Sequence, residues 1–199
     1  HWSAPLRKVD GMDAKADALA ILESCGLNPA SAQTSTADIP QWYHPGRSGV
    51  LKLGQAILGN FGEIHPAILA DMKIDGPVAG FEIFMDVLPA SKKKEGFKRP
   101  LLVLSPLQPV TRDFAFVVDQ SVTADKMIRC IRAADQALIV SAEIFDVYAG
   151  ANLGAGKKSL AVTITLLPKD KTLTDEQIEA LSQKVIAEVL KTTGGTLRA

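Results

Sequence analysis

The sequence is short of most features that announce a particular chemistry. Of its 199 residues only two are cysteine, Cys25 and Cys130, far apart and each in helix-like surroundings. Two buried thiols are expected there rather than a disulfide, as suits a reducing cytoplasm. The three histidines, His1, His44 and His65, have no partner four residues on and no Cys-x-x-Cys beside them, so no metal centre is expected. No apolar run reaches the roughly 20 residues that span a bilayer. The opening HWSAPLRKVDG lacks the basic-then-apolar layout of a signal peptide. With His1 where an initiator Met would stand, it reads as part of a longer chain or as tag remnants. A surplus of one charge is missing too, since 22 Lys and Arg balance 22 Asp and Glu. That balance is unusual for a protein that holds nucleic acid by phosphate contacts alone.

The familiar catalytic motifs fail on spacing. Gly156-Lys157-Lys158-Ser159 has Lys where a P-loop needs Ser or Thr, and Ala151 where it needs its first Gly. Gly46-Arg47-Ser48-Gly49 lacks the residue that a nucleophile elbow places between Ser and the second Gly. No carboxylate pair stands out as an acid/base couple. The sequence thus offers no catalytic constellation.

What is present is two modules and a join. A hydrophobic share of 47% with 22% charged residues suits a soluble globular protein, long enough for one large domain or two small ones. Residues 1–88 carry more acids than bases, whereas 91-SKKKEGFKRP-100 is densely basic, without either apolar period, and ends in Pro. It reads as a boundary, either a solvated linker or a flexible arm touching phosphates. The divisions expected are residues 1–90, a linker over 91–104, and a second domain over 105–199.

The second domain parses into a sequence of elements. After an extended lead-in at 105-SPLQPV-110, Arg112 to Asp119 is a near-continuous apolar strand, as for a central position covered on both sides. Thr123 can cap a helix with Met127, Ile128, Ile131 and Ala134 at the helical period. Leu138 to Tyr148 is β-rich, and Lys158 to Leu167 alternates strictly, with Ser159, Ala161, Thr163 and Thr165 on one face. Thr174 and Gln177 form a capping box before a helix with Ile178, Leu181, Val185 and Val189 inward. Gly194 and Gly195 stop it, and Thr196 to Arg198 can add a last strand. The order β-α-β-β-α-β is the ferredoxin-like split pattern, with both helices on one face of the sheet and a small polar face left open around Ser159 and Thr163.

The first module is α+β. Asp13 to Cys25 is helical by pattern with Leu19, Ala20 and Leu22 apolar, and Gly26 stops it. Strands are expected at Val50 to Leu53, Ala56 to Phe61 and Val78 to Leu88, and a short helix at Pro66 to Met72 with Pro at its first position. His44 and His65 both precede Pro, where a turn role is the default; for Arg47 a structural ion pair and a ligand contact both stay open.

Three stretches are more specific in combination: 44-HPGRSG-49 with 62-GEIHP-66, then 105-SPLQPVTRDFAFVVD-119, then 145-FDVYAG-150 with 157-KKSLAVTITL-166. In this order they resemble the C-terminal part of the bacterial phenylalanyl-tRNA synthetase β chain, over roughly Trp2 to Arg198. The resemblance implies that residues 1–90 are part of an inactive domain like a class II synthetase catalytic fold. Residues 105–199 would be a ferredoxin-like anticodon-binding domain. It implies no catalytic residue and no cofactor in this piece, with ATP and Mg²⁺ used by the parent complex. The implied partners are tRNA-Phe and the α subunit of an α2β2 heterotetramer, in the cytoplasm, with neither membrane nor DNA involved.

Matched residue by residue, the resemblance assigns tRNA contact to Asp146, Tyr148 and Ser159. Physically, Tyr148 offers a ring for stacking. Asp146 can accept from a guanine edge, and Ser159 can bond a base edge or the backbone. Lys157 and Lys158 would meet phosphate nearby, and Arg112 is a further candidate. Bland roles stay open beside these: Tyr148 at a core rim, Asp146 capping its own turn, Arg112 and Asp113 pairing with each other or with neighbours. An amino-acid-sensing regulatory domain shares the element order, but its ligand loop usually has a glycine that 119-DQSVT-123 lacks.

Overall fold

A computed structural model describes residues 5–89, 101, 105–169 and 171–198. The basic run 91–100 and most of the expected linker lie outside the described residues. The chain divides into two compact units, His1–Lys98 and Arg99–Ala199, and each is α+β around one antiparallel sheet of four strands.

In the first unit, helix α1 spans Gly11–Ser24. It begins at Asp10, whose carboxylate accepts from the Met12 and Asp13 N–H groups while Asp13 reaches back to the Asp10 N–H. This reciprocal cap satisfies donors the helix itself leaves orphaned. Ala14, Ala18 and Leu22 recur at four-residue spacing and are buried, so they form the stripe packed on the sheet; Ala20 is exposed.

The strands are β1 (Gln33–Ser35), β2 (Tyr43–Leu53), β3 (Ala56–Ile64) and β4 (Ala79–Ile83), side by side in chain order. Strands β2 and β3 meet through a two-residue turn between Leu53 and Ala56 with Gly54 at φ +60°, a conformation that costs glycine little. Helix α2 (Pro66–Asp71) follows, and the N–H of Ala67 in its first turn donates to His65 Nδ1. Three expectations change here. A strand at 33–35 was not foreseen; β2 and β3 run longer than expected; and the strand expected to reach Leu88 stops at Ile83 and gives way to a tight turn over Met85–Val87.

In the second unit, β5 (Val110–Asp119), α3 (Ala124–Ala134), β6 (Ile139–Tyr148), β7 (Lys157–Leu166), α4 (Asp175–Thr193) and β8 (Thr196–Leu197) follow in the expected order. The sheet runs β6-β7-β5-β8. Phe114, Phe116 and Val118 of β5 and Leu160, Val162, Ile164 and Leu166 of β7 share one core with Met127 and Ile131 of α3 and Leu181, Val185 and Val189 of α4. Both helices therefore cover the same face, which makes the unit ferredoxin-like. The expectation that β5 is covered on both sides fails: burial alternates along it, and Ala115 and Val117 are only partly covered. Its apolar run reflects its central place between β7 and β8 rather than a second layer.

The thiols differ as well. Cys130 is buried in the second core, which pushes its thiol pKa up, with the nearby Glu188 adding to the shift. Cys25 is exposed, against expectation, because it caps the end of α1 instead of facing its core.

Candidate nucleic-acid interface

The open face of the second sheet is built in rows set by register. Glu143, Thr163 and Asp113 stand abreast, and the Thr163 hydroxyl donates to Asp113 at 2.6 Å. The next row is Asp146, Ala161 and Ala115; the one beyond is Tyr148, Ser159, Val117 and Thr196. A bulge at Phe145, where pairing slips between Ile144 and Asp146, sets the phase that brings Asp146 and Tyr148 to this face. Because Ala161 and Ala115 are small, the exposed Asp146 carboxylate stands beside low ground where a planar group can approach.

In the row beyond, Tyr148 is held in a defined pose. Its hydroxyl donates to Asn152 Oδ1 at 2.8 Å. The Arg198 guanidinium lies over its ring, 5.4 Å from the centroid, within cation–π range. Ser159, directly opposite Tyr148 in register, is only 3% exposed. Ser159 shares the face of Asp146 and Tyr148, as alternation predicts, but it is not part of an accessible polar patch, since its neighbours cover it.

The basic candidates separate. Lys157 shares the face of Ser159, near the exposed Asp119 at 4.0 Å, a surface pairing of little worth that a phosphate can replace. Lys158 has the opposite phase: it pairs with Val118, and its ammonium donates to the Gln120 carbonyl at 2.9 Å. Arg112 likewise shares the phase of Phe114 and Phe116, opposite Ile164, and donates to the Thr111 carbonyl. Neither stands with Asp146 and Tyr148. Three residues beside Tyr148 were not picked out from sequence: Arg198, Asn152 and Gly150. Only Gly150 carried a signal, as the glycine that ends 145-FDVYAG-150.

The first unit has a cavity of about 410 Å³ lined by, among others, Asp10, Lys15, Thr34, Arg47, Ser48 and Glu63. Three of its charges, Asp10, Arg47 and Glu63, are already engaged, and the Lys15 ammonium lies 5.8 Å from the centre of the Phe61 ring. Arg47 donates to Glu63 at 2.9 Å, which decides for the structural ion pair, and Asp10 caps α1. Holding ATP with Mg²⁺ needs carboxylates open to the ion, and Asp10 and Glu63 already accept hydrogen bonds from the helix start and from Arg47. His44 serves its turn, Nδ1 accepting from the Gly46 N–H at 3.1 Å. Burial, with Glu82 nearby, pushes the Tyr43 phenol up to about 12, well beyond a base's working range. Among the described residues no three His, Cys, Asp or Glu side chains gather as metal ligands, and no helix is long and apolar enough to cross a membrane.

Two family models match separate parts of the chain. The model of the ferredoxin-fold anticodon binding domain matches residues 105–198. That of the phenylalanyl tRNA synthetase beta chain CLM domain matches residues 1–85. The phenylalanine–tRNA ligase beta subunit of Paramagnetospirillum magneticum is 55% identical over 198 residues, 100% of this chain and 25% of that protein. Its counterpart in Rhodospirillum rubrum is 53% identical over 199 residues, again 100% and 25%. That of Bradyrhizobium diazoefficiens is 48% identical over 200, with the same coverage. The chain thus spans about a quarter of the length of the curated relatives it matches.

Proposed function

Since the chain belongs to the phenylalanine–tRNA ligase β-subunit family, we propose that it is the non-catalytic C-terminal part of such a subunit, binding the anticodon region of tRNA-Phe. The observation that carries the reading is the open sheet face of an anticodon-binding fold on which Asp146 and Tyr148 stand in adjacent rows. A ring and an acceptor beside a small-residue depression suit an unpaired base: the ring stacks, and the carboxylate accepts from N–H groups on a guanine edge. Lys157 meets the backbone phosphate. Ser159 takes part only when its neighbours shift, and Lys158 and Arg112 act on RNA that passes round the sheet.

The first unit contributes to the contact with the α subunit. Phe81, Phe84, Met85 and Val87 are exposed along and just after the edge strand β4, and such an apolar edge calls for a protein cover. The ATP- and Mg²⁺-dependent aminoacylation of the parent α2β2 complex then belongs to the α subunit, in the cytoplasm, and this chain supplies RNA binding.

With zero net charge the isolated chain binds weakly, so the test is made at low salt. The 199-residue chain retards tRNA-Phe in a gel, and Tyr148→Ala weakens binding by roughly 5- to 150-fold, the worth of about 1–3 kcal/mol of stacking. Absence of retardation by chain shown to be folded sinks the RNA half of the reading.

A further inference from the structure

Gly150 has no backbone reason to be glycine: its φ is not in the left-handed region, unlike Gly154 and Gly156 in the same loop. What a side chain there would meet is Tyr148. A Cβ on Gly150 would overlap the Tyr148 hydroxyl oxygen and the ring carbon bearing it, and come within 2.8 Å of Cε1. Those atoms are the far end of a rotatable side chain, so the added methyl displaces the ring and leaves the backbone where it is. The hydroxyl is tied to Asn152 at 2.8 Å, and the ring carries Arg198 at 5.4 Å. Asn152 lies in the loop after β6 and Arg198 follows β8 at the other edge of the sheet, so neither contact is required to form the strand. The residue keeps 39% of its surface exposed.

We propose that Gly150, Asn152 and Arg198 form a seat that fixes the Tyr148 ring for stacking on one unpaired RNA base. All three are positioning residues, with Gly150 the one that the pose cannot do without. The ligand class is a single-stranded nucleotide presented by a tRNA loop, so the proposal rests on the RNA reading above. A ring already held loses little rotamer freedom on binding, so the seat raises affinity without adding a contact to RNA.

The experiment compares Gly150→Ala, Asn152→Ala and Tyr148→Ala in the 199-residue chain, using a labelled anticodon stem-loop of tRNA-Phe and fluorescence anisotropy across a salt series. Gly150→Ala is expected to lose about tenfold in affinity, most of what Tyr148→Ala loses. Its thermal midpoint and the slope of log K against log salt stay unchanged, because no phosphate contact is removed. The Gly150→Ala/Tyr148→Ala double variant binds no worse than Tyr148→Ala alone, as coupled residues do. Asn152→Ala adds no atoms and loses about threefold; it carries the test if Gly150→Ala lowers the midpoint. Should both seat variants bind as wild type while Tyr148→Ala is impaired, the seat is overturned and the RNA reading stands. Wild-type binding by Tyr148→Ala overturns the seat and moves the RNA off this face, whereas absence of binding by the folded wild-type chain overturns the RNA reading itself.

Discussion

Each unit carries a four-stranded antiparallel sheet, yet the two sheets are covered differently. In the first unit Val50 and Leu51 are adjacent in β2, point to opposite faces, and are both 0% exposed. Asn60, opposite Val50 in register, is buried as well and donates to Glu82. That sheet is enclosed on both faces at its centre, and Phe81, Phe84, Met85 and Val87 stand exposed at and just after its β4 edge. In the second unit all helical cover is on one side, and the other face keeps polar and small residues in ordered rows. An enclosed sheet with an apolar edge suits a protein partner; a half-bare sheet with Asp146 and a seated Tyr148 suits a nucleic acid. Neither arrangement shows in the overall charge, which is zero.

The comparison can be broken most severely in the cores. Phe116 is 0% exposed at the centre of β5, so Phe116→Ala costs about 3–5 kcal/mol. Both tryptophans, Trp2 and Trp42, precede the join, so tryptophan fluorescence follows the first unit alone while far-UV circular dichroism follows both. Phe116→Ala is expected to pull the dichroism transition to lower urea and leave the fluorescence midpoint in place. Leu58→Ala, at another fully buried position, costs about 2–5 kcal/mol and moves the fluorescence midpoint instead. Joint movement of both signals in both variants would show one cooperative unit.

A smaller effect tests the two-sided and one-sided sheets directly. Val50 is fully buried and Val117 only partly, although both sit in apolar strand sequence. Val50→Ala is expected to cost about 2 kcal/mol, and Val117→Ala less than about 1 kcal/mol, in urea titrations. Equal costs would mean that the second face is better covered than its rows suggest.

The second unit was largely legible in the sequence because its elements carry their own periods. Leu160, Val162, Ile164 and Leu166 alternate, Ile178, Leu181, Val185 and Val189 recur helically, and Thr174 with Gln177 marks the start of α4. The first unit was harder: Gln33–Ser35 is polar and short, and β2 is hidden by 44-HPGR-47, which leaves the ladder between Tyr43 and Ser48. At the candidate site, alternation tells which face a residue is on but not what lies across it. Arg198 meets Tyr148 from the far edge of the sheet, and the burial of Ser159 follows from such non-local packing. Lys158 is suggested by its nearness to Ser159 and Arg112 by the separate 105–119 stretch, and strand phase separates both from the site.

The smallest expected effect separates the units by chemistry rather than by packing. Both long helices open with a reciprocal cap, but α4 uses neutral groups, Thr174 and Gln177, whereas α1 uses Asp10 and Asp13. The Arg7 guanidinium, hydrogen-bonded to Asp13, together with the Asp10 N–H, lowers the Asp13 carboxyl to about 2. A carboxyl whose pKa is lower in the folded chain than its ordinary 3.8 stabilises above that ordinary value. Its contribution is lost as pH falls through about 2. Because the pair lies in solvent, the contribution is small and weakens with salt. Asp13→Asn should therefore lower the fluorescence-detected urea midpoint slightly at pH 5, and the difference from wild type should close near pH 2. Thr174→Ala, which removes a neutral cap worth about 0.5–2 kcal/mol, should lower the dichroism midpoint by the same amount at both pH values. If the Asp13 difference persists unchanged at pH 2, the α1 cap acts through shape alone, and the two helix starts are equivalent after all.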